Sequence, residues 1–126
     1  MKTINKTLTN GEIYTCAVNL INDFPENDTY MPAAIAYSIQ KNKTTLMTLG
    51  EEIEKSRLSI IQHYQLDQLK DGDEVDPSVV EKANKELLDL LNIEQEVKIY
   101  TFNIEDLNDI KITSGQMQAL MVMIED

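Results

Sequence analysis

Tryptophan is absent from this 126-residue chain, and cysteine and histidine occur once each, as Cys16 and His63. A single cysteine excludes an intramolecular disulfide and suits a reducing compartment. One Cys and one His cannot by themselves form a structural zinc site. The four glycines, scattered at 11, 50, 72 and 115, form no phosphate-cradling loop. Aromatic residues make up 6% of the chain, so the core has to be built from Ile, Leu, Val, Ala and Met. No apolar run approaches the roughly 18 residues of a membrane span. The opening MKTINKTLTNGEIY carries positive charge without the apolar stretch of a secretory signal, so no membrane association is expected. Without an export signal, the Asn-X-Ser/Thr triplets at Asn5, Asn27 and Asn42 read as chance matches.

What is present is acid. The net charge is −11, and it is unevenly spread: residues 1–64 carry six Lys/Arg against seven Asp/Glu, residues 65–126 five against fifteen. An acidic surface disfavours direct nucleic-acid binding and can dock on a basic protein. Asp71, Asp73 and Glu74, in the polar stretch QLDQLKDGDEVD, are the candidate partner surface in that half. The stretch does not meet the spacing of a calcium loop, which needs acids at positions 1, 3 and 5, Gly at 6 and Glu at 12. Lys41, Lys43, Lys55 and Arg57 are the candidates for a local basic patch.

Hydrophobic spacing and capping signals predict four helices. Residues 2–8 suit a short strand or an arm. Thr9-Asn10-Gly11-Glu12 is a capping-box pattern ahead of a helix over about 10–23, and Pro25-Glu26-Asn27-Asp28-Thr29 makes a polar turn. Pro32 then opens a helix to about Tyr64. Its strongest apolar row is Ile39, Leu46, Ile53 and Ile60, at seven-residue spacing. At 1.5 Å per residue it spans roughly 50 Å, against a radius of gyration near ~14 Å for a domain of this size. The helix should therefore overhang its own globule, and the row is the candidate self-association surface. The companion row, Ile35, Asn42, Leu49, Ser56 and His63, is polar at three of five places, which argues against a simple zipper. Gly50 inside the helix marks a bend or a close crossing.

Asp76 and Pro77 start a third helix with an apolar face to about Leu91 or Asn92. EVKIYTFN, residues 96–103, is the best strand, and Ile110-Lys111-Ile112 is a candidate for its returning partner. Thr113-Ser114-Gly115-Gln116 caps a last helix carrying Met117, Met121 and Met123, of which Met123 lies off the main stripe, is the expected exposed member and joins the candidate partner surface. The sum is a single α+β domain, mostly helical: four helices, one of them long, with a two- or three-stranded antiparallel sheet. A Cys16–His63 dyad can be written down but no local pattern supports it, so no enzyme, catalytic residue, metal or cofactor is expected.

LTNGEIY, PAAIAYSIQKNKTTL, EIEKSRLSIIQHY, KANKELLDLLNIEQEVKIY and ITSGQMQALMVMIED together resemble a family of small uncharacterised proteins from tailed phages and prophages of Gram-positive bacteria. The resemblance runs from about Leu8 to Glu125. It implies an accessory protein in the infected host cytoplasm, acting on a host or phage protein in host takeover, replication or counter-defence, and the overlong helix adds the expectation of a homodimer. Alternatives are a nucleic-acid-binding accessory protein and a minor virion structural or assembly protein. The family carries no assigned activity, so no site residue transfers.

Overall fold

Thr9 ends one element and starts the next. In the computed structural model, which describes residues 2–25, 30–70 and 72–125, strand β1 (Lys2–Thr9) runs directly into helix α1 (Asn10–Asp23). The Thr9 hydroxyl accepts the Glu12 amide at 3.1 Å and the Glu12 carboxylate accepts the Thr9 amide at 3.1 Å. The capping box therefore satisfies two backbone donors where strand becomes helix. Asn10 anchors the same corner. Its amide donates to the Ile93 carbonyl at 2.8 Å, its Nδ2 to the Leu90 carbonyl at 2.9 Å, and its Oδ1 accepts from Gln95 at 2.7 Å.

Helix α2 (Ala33–His63) has Pro32 at the N-cap position, one residue before the first turn. Its 31 residues extend for about 46 Å. It stops where Gln65 turns to a left-handed φ of 58°. Helix α3 (Pro77–Asn92), capped by Asp76, returns against it, bringing the Glu86 carboxylate near enough to the Tyr64 hydroxyl to push its pKa up. The overhang of α2 is thus met first by the chain's own α3. Past Ile53 no residue of α2 is fully buried, and α3 fully buries only Ala83. This pair of helices is thinly packed beyond the main core.

Strand β2 (Glu94–Thr101) pairs antiparallel with β1, Lys2 opposite Thr101 and Thr9 opposite Glu94. The sheet has two strands. Ile110–Ile112 forms no third strand; Ile110 and Ile112 instead pack half-buried against the core. The far edge of β2 is covered by other groups: Asn42 bonds both backbone groups of Tyr100, and a parallel bridge joins Phe102 to Ile124. The end of this free edge is thereby hidden.

Helix α4 (Ser114–Leu120) uses Thr113 and Gln116 as a second capping box and lies on α1. Gln116 Nε2 donates to the Asp23 carbonyl at 3.2 Å, and Lys43 Nζ to the Phe24 carbonyl at 2.8 Å. The terminal carbonyls of α1 are satisfied in this way. The core between α1, α2, α4 and the sheet centres on Ile13, Leu20, Leu46, Ile99, Leu120 and Met123. Among the described residues, no helix is long and apolar enough to cross a membrane.

Candidate interaction groove

The apolar row of α2 is divided by this packing. Ile39, Leu46 and Ile53 are buried in the protomer's own core, and only Ile60 stays half-buried on the distal part of the helix. The row therefore cannot serve as an exposed self-association face. Seven-residue spacing marks a buried stripe without saying which helix covers it. Here α1 and the sheet cover it. Gly50 marks a close crossing: an added Cβ would sit 3.5 Å from the Ala17 Cβ of α1.

Beside that crossing the surface opens into two adjoining pockets that share Tyr14 and Glu54. One, of about 260 Å³, lies between Tyr14 on α1, Ile53 on α2 and Leu87, Leu90 and Leu91 on α3. The other, of about 200 Å³, lies between Val18 and Ile21 on α1 and Met47 and Gly50 on α2. Together they form one groove with an apolar floor and apolar walls. It exists because α1 is apolar on two sides. Ile13, Ala17 and Leu20 point into the core, while Tyr14, Val18 and Ile21 form a second stripe at helical spacing. Tyr14 and Ile21 are 42% and 46% exposed, and Leu91 across the groove is 39% exposed. Glu54, which lines both pockets, takes a two-point bond from Arg57 of the larger one, at 2.8 and 2.6 Å, which holds the Glu54 carboxyl below its ordinary range.

The acidic segment lies apart. Asp73 and Glu74 are exposed; the Asp73 carboxylate accepts the Lys70 amide at 2.8 Å, and Gly72 takes a φ of +88° at the turn. Asp71 and the turn residues 26–29 lie outside the described residues. Met123 is fully buried, and Met121 is 60% exposed instead. The α4 helix tightens into a 3₁₀ turn at Met121–Met123, which rotates the last methionine inward. The candidate basic patch is not one surface: Arg57 is paired with Glu54, Lys43 caps α1, and Lys41 lies over the Tyr37 ring.

No protein-family model, curated protein or solved structure matches the chain. The chemistry of its own residues is the remaining guide. Burial, with help from the Glu12 charge, pushes the Cys16 thiol up, the opposite of what activates a thiolate nucleophile. His63 is exposed at the far end of α2, its ring edge-on to Tyr64 at 4.8 Å. A further pocket, of about 420 Å³ by the start of α2, contains polar groups that already bond one another. Thr101 donates to Glu125 at 2.8 Å, Asp106 accepts the Asn103 amide at 3.1 Å, and Ser38 donates to the Ala34 carbonyl at 3.0 Å.

Proposed function

We propose that the protein acts without catalysis, as a small acidic phage accessory protein that pairs with a second copy of itself and binds a host or phage protein. The observation that supports this reading is the exposed apolar groove between α1, α2 and α3. Grooves of this form take amphipathic helices through anchors at i, i+3, i+4 and i+7. The stripe Tyr14, Val18, Ile21, which forms the α1 wall of the groove, has that spacing. Ridge and groove lie side by side on one surface, so a two-fold axis would set each ridge into the other copy's groove, an isologous contact. The groove would form the buried centre of an interface that needs about 800 Å² per partner. The exposed acids of the connector, Asp73 and Glu74, would stay free to meet a basic surface on the other protein.

The phage setting and the host cytoplasm rest on the sequence resemblance. The test is affinity capture from infected host cells expressing a tagged and an untagged copy. The tagged protein is expected to recover the untagged copy together with a specific host or phage protein. Ile21→Glu should lose the untagged copy, and the double variant Asp73→Lys, Glu74→Lys should lose the other protein. Recovery of neither by the unaltered protein would refute the proposal.

A further inference from the structure

Charge is segregated within the acidic chain. Residues 2–9 and 33–49 hold Lys2, Lys6, Lys41 and Lys43 and not one Asp or Glu, although the net charge is −11. The fold sets α2 against β2. Lys2 and Lys6 reach the opposite face of the sheet, toward Glu125 and the Val122 carbonyl, and Lys43 caps α1, which leaves Lys41 as the cation of these segments beside the solvent face. The solvent face of the sheet carries Thr3, Asn5 and Thr7 opposite Tyr100, Lys98 and Glu96. Tyr37 of α2 stands beside it, 46% exposed. Its ring centroid is 6.1 Å from that of Tyr100, edge to face at 76°. Each ring has a lysine over it: Lys41 Nζ is 5.4 Å from the Tyr37 centroid and Lys98 Nζ 5.6 Å from the Tyr100 centroid. Asn42, one residue beyond Lys41, bonds the Tyr100 backbone at 2.8 Å on both sides, so the helix tyrosine and the strand tyrosine are fixed relative to each other.

We infer that this tyrosine–lysine platform binds short single-stranded nucleic acid: Lys41 and Lys98 swing off the ring faces they cover to meet adjacent phosphates, and unpaired bases take their place on Tyr37 and Tyr100. Single strands offer the base faces that a duplex hides, and aromatic side chains beside lysines are the minimal device for holding them. The whole-molecule charge repels a long polyanion. Screening confines that repulsion to about 8 Å, within which Lys41 and Lys98 are the cations at the two rings and Glu96, two residues from Lys98 on the same face, bounds the platform at one end. Tyr37 and Ile53 are 16 positions apart on α2, about 24 Å, so the platform and the groove are separate surfaces and can fail separately.

Fluorescence anisotropy with labelled single-stranded DNA and RNA of about eight nucleotides tests this on the full chain. Saturable binding of either strand is expected, with the duplex of the same sequence binding more weakly. With two phosphates neutralised, log K should fall with log salt at a slope of about −1.4, and Lys41→Gln should reduce it to about −0.7. Tyr37→Ala should weaken binding about tenfold, and Tyr37→Phe should restore it. Lys41→Gln and Tyr37→Phe should melt like the unaltered protein, and Tyr37→Ala, which loses the ring pair, should still fold cooperatively. The inference is overturned if neither strand binds, if the duplex or a labelled polyglutamate binds equally well, or if Tyr37→Ala and Lys41→Gln bind like the unaltered protein.

Discussion

Asn42 Nδ2 donates to the Tyr100 carbonyl, and Asn42 Oδ1 accepts the Tyr100 amide, both at 2.8 Å. A side chain of the long helix thus occupies the place of a third strand at this point on the edge of β2. Asn42 is fully buried, and replacing it leaves two backbone groups without partners. Asn42→Ala is expected to cost about 2–6 kcal/mol, since each of the two orphaned buried groups costs about 1–3 kcal/mol. Asn42→Asp should be at least as damaging, because a carboxylate would then face the Tyr100 carbonyl. Denaturant unfolding followed by circular dichroism checks both.

Gly50 lies where α1 and α2 cross, yet an added methyl would make only ordinary contact with Ala17 at 3.5 Å. Helix propensity then decides the outcome. Gly50→Ala should stabilise the protein by about 0.5–1 kcal/mol, read as a rise in the denaturation midpoint at unchanged slope. A loss of stability would mean that the crossing is tighter than ordinary contact.

Acid should loosen the start of α3. The Asp76 carboxylate accepts the Ser78 amide and hydroxyl, each at 2.9 Å, and these bonds hold its pKa below the usual 3.8. A group depressed by folding contributes stability that is present above its unfolded pKa and lost as pH falls through the folded one. The melting temperature should therefore drop as pH falls below about 4. Asp76→Asn keeps the cap without the titration, and its melting temperature should depend less on pH over that range.

Ile53 and Ile21 separate folding from association. Ile53 is buried at the floor of the groove, so Ile53→Asp should unfold the chain, as buried unpaired charges cost more than about 4 kcal/mol. Ile21 is 46% exposed in the protomer, so Ile21→Glu should keep the fold and lose only the stabilisation that pairing adds, a fall in melting temperature that grows with protein concentration. Thermal melts of the two variants distinguish these outcomes.

Much of the fold could be read from local signals. The boxes at Thr9/Glu12 and Thr113/Gln116 and the cap at Asp76 start helices where they were expected. Such bonds join residues within three positions, so the sequence displays both partners. What could not be read depends on distant pairings. The partner of β2 is β1, some 90 residues earlier in the chain, while the nearby Ile110–Ile112 stays outside the sheet. The seven-residue row of α2 announced burial but not what covers it, and α1 and the sheet take the place assigned to a second copy. Met123 turns inward because α4 ends in a 3₁₀ turn, which helical spacing cannot foresee. The groove left one trace, the extra apolar stripe Tyr14, Val18 and Ile21 on a helix that needed only one. Asn42 left another, as the single polar break between Ile35 and Leu49 in its row.

The most direct test of the interaction groove is sedimentation equilibrium of the unaltered protein and of Ile21→Glu across micromolar concentrations. The unaltered protein is predicted to sediment at twice the 14.4 kDa protomer mass, and Ile21→Glu at the protomer mass with its fold retained. A strict monomer for the unaltered protein, or a dimer that survives Ile21→Glu, would contradict pairing through the groove.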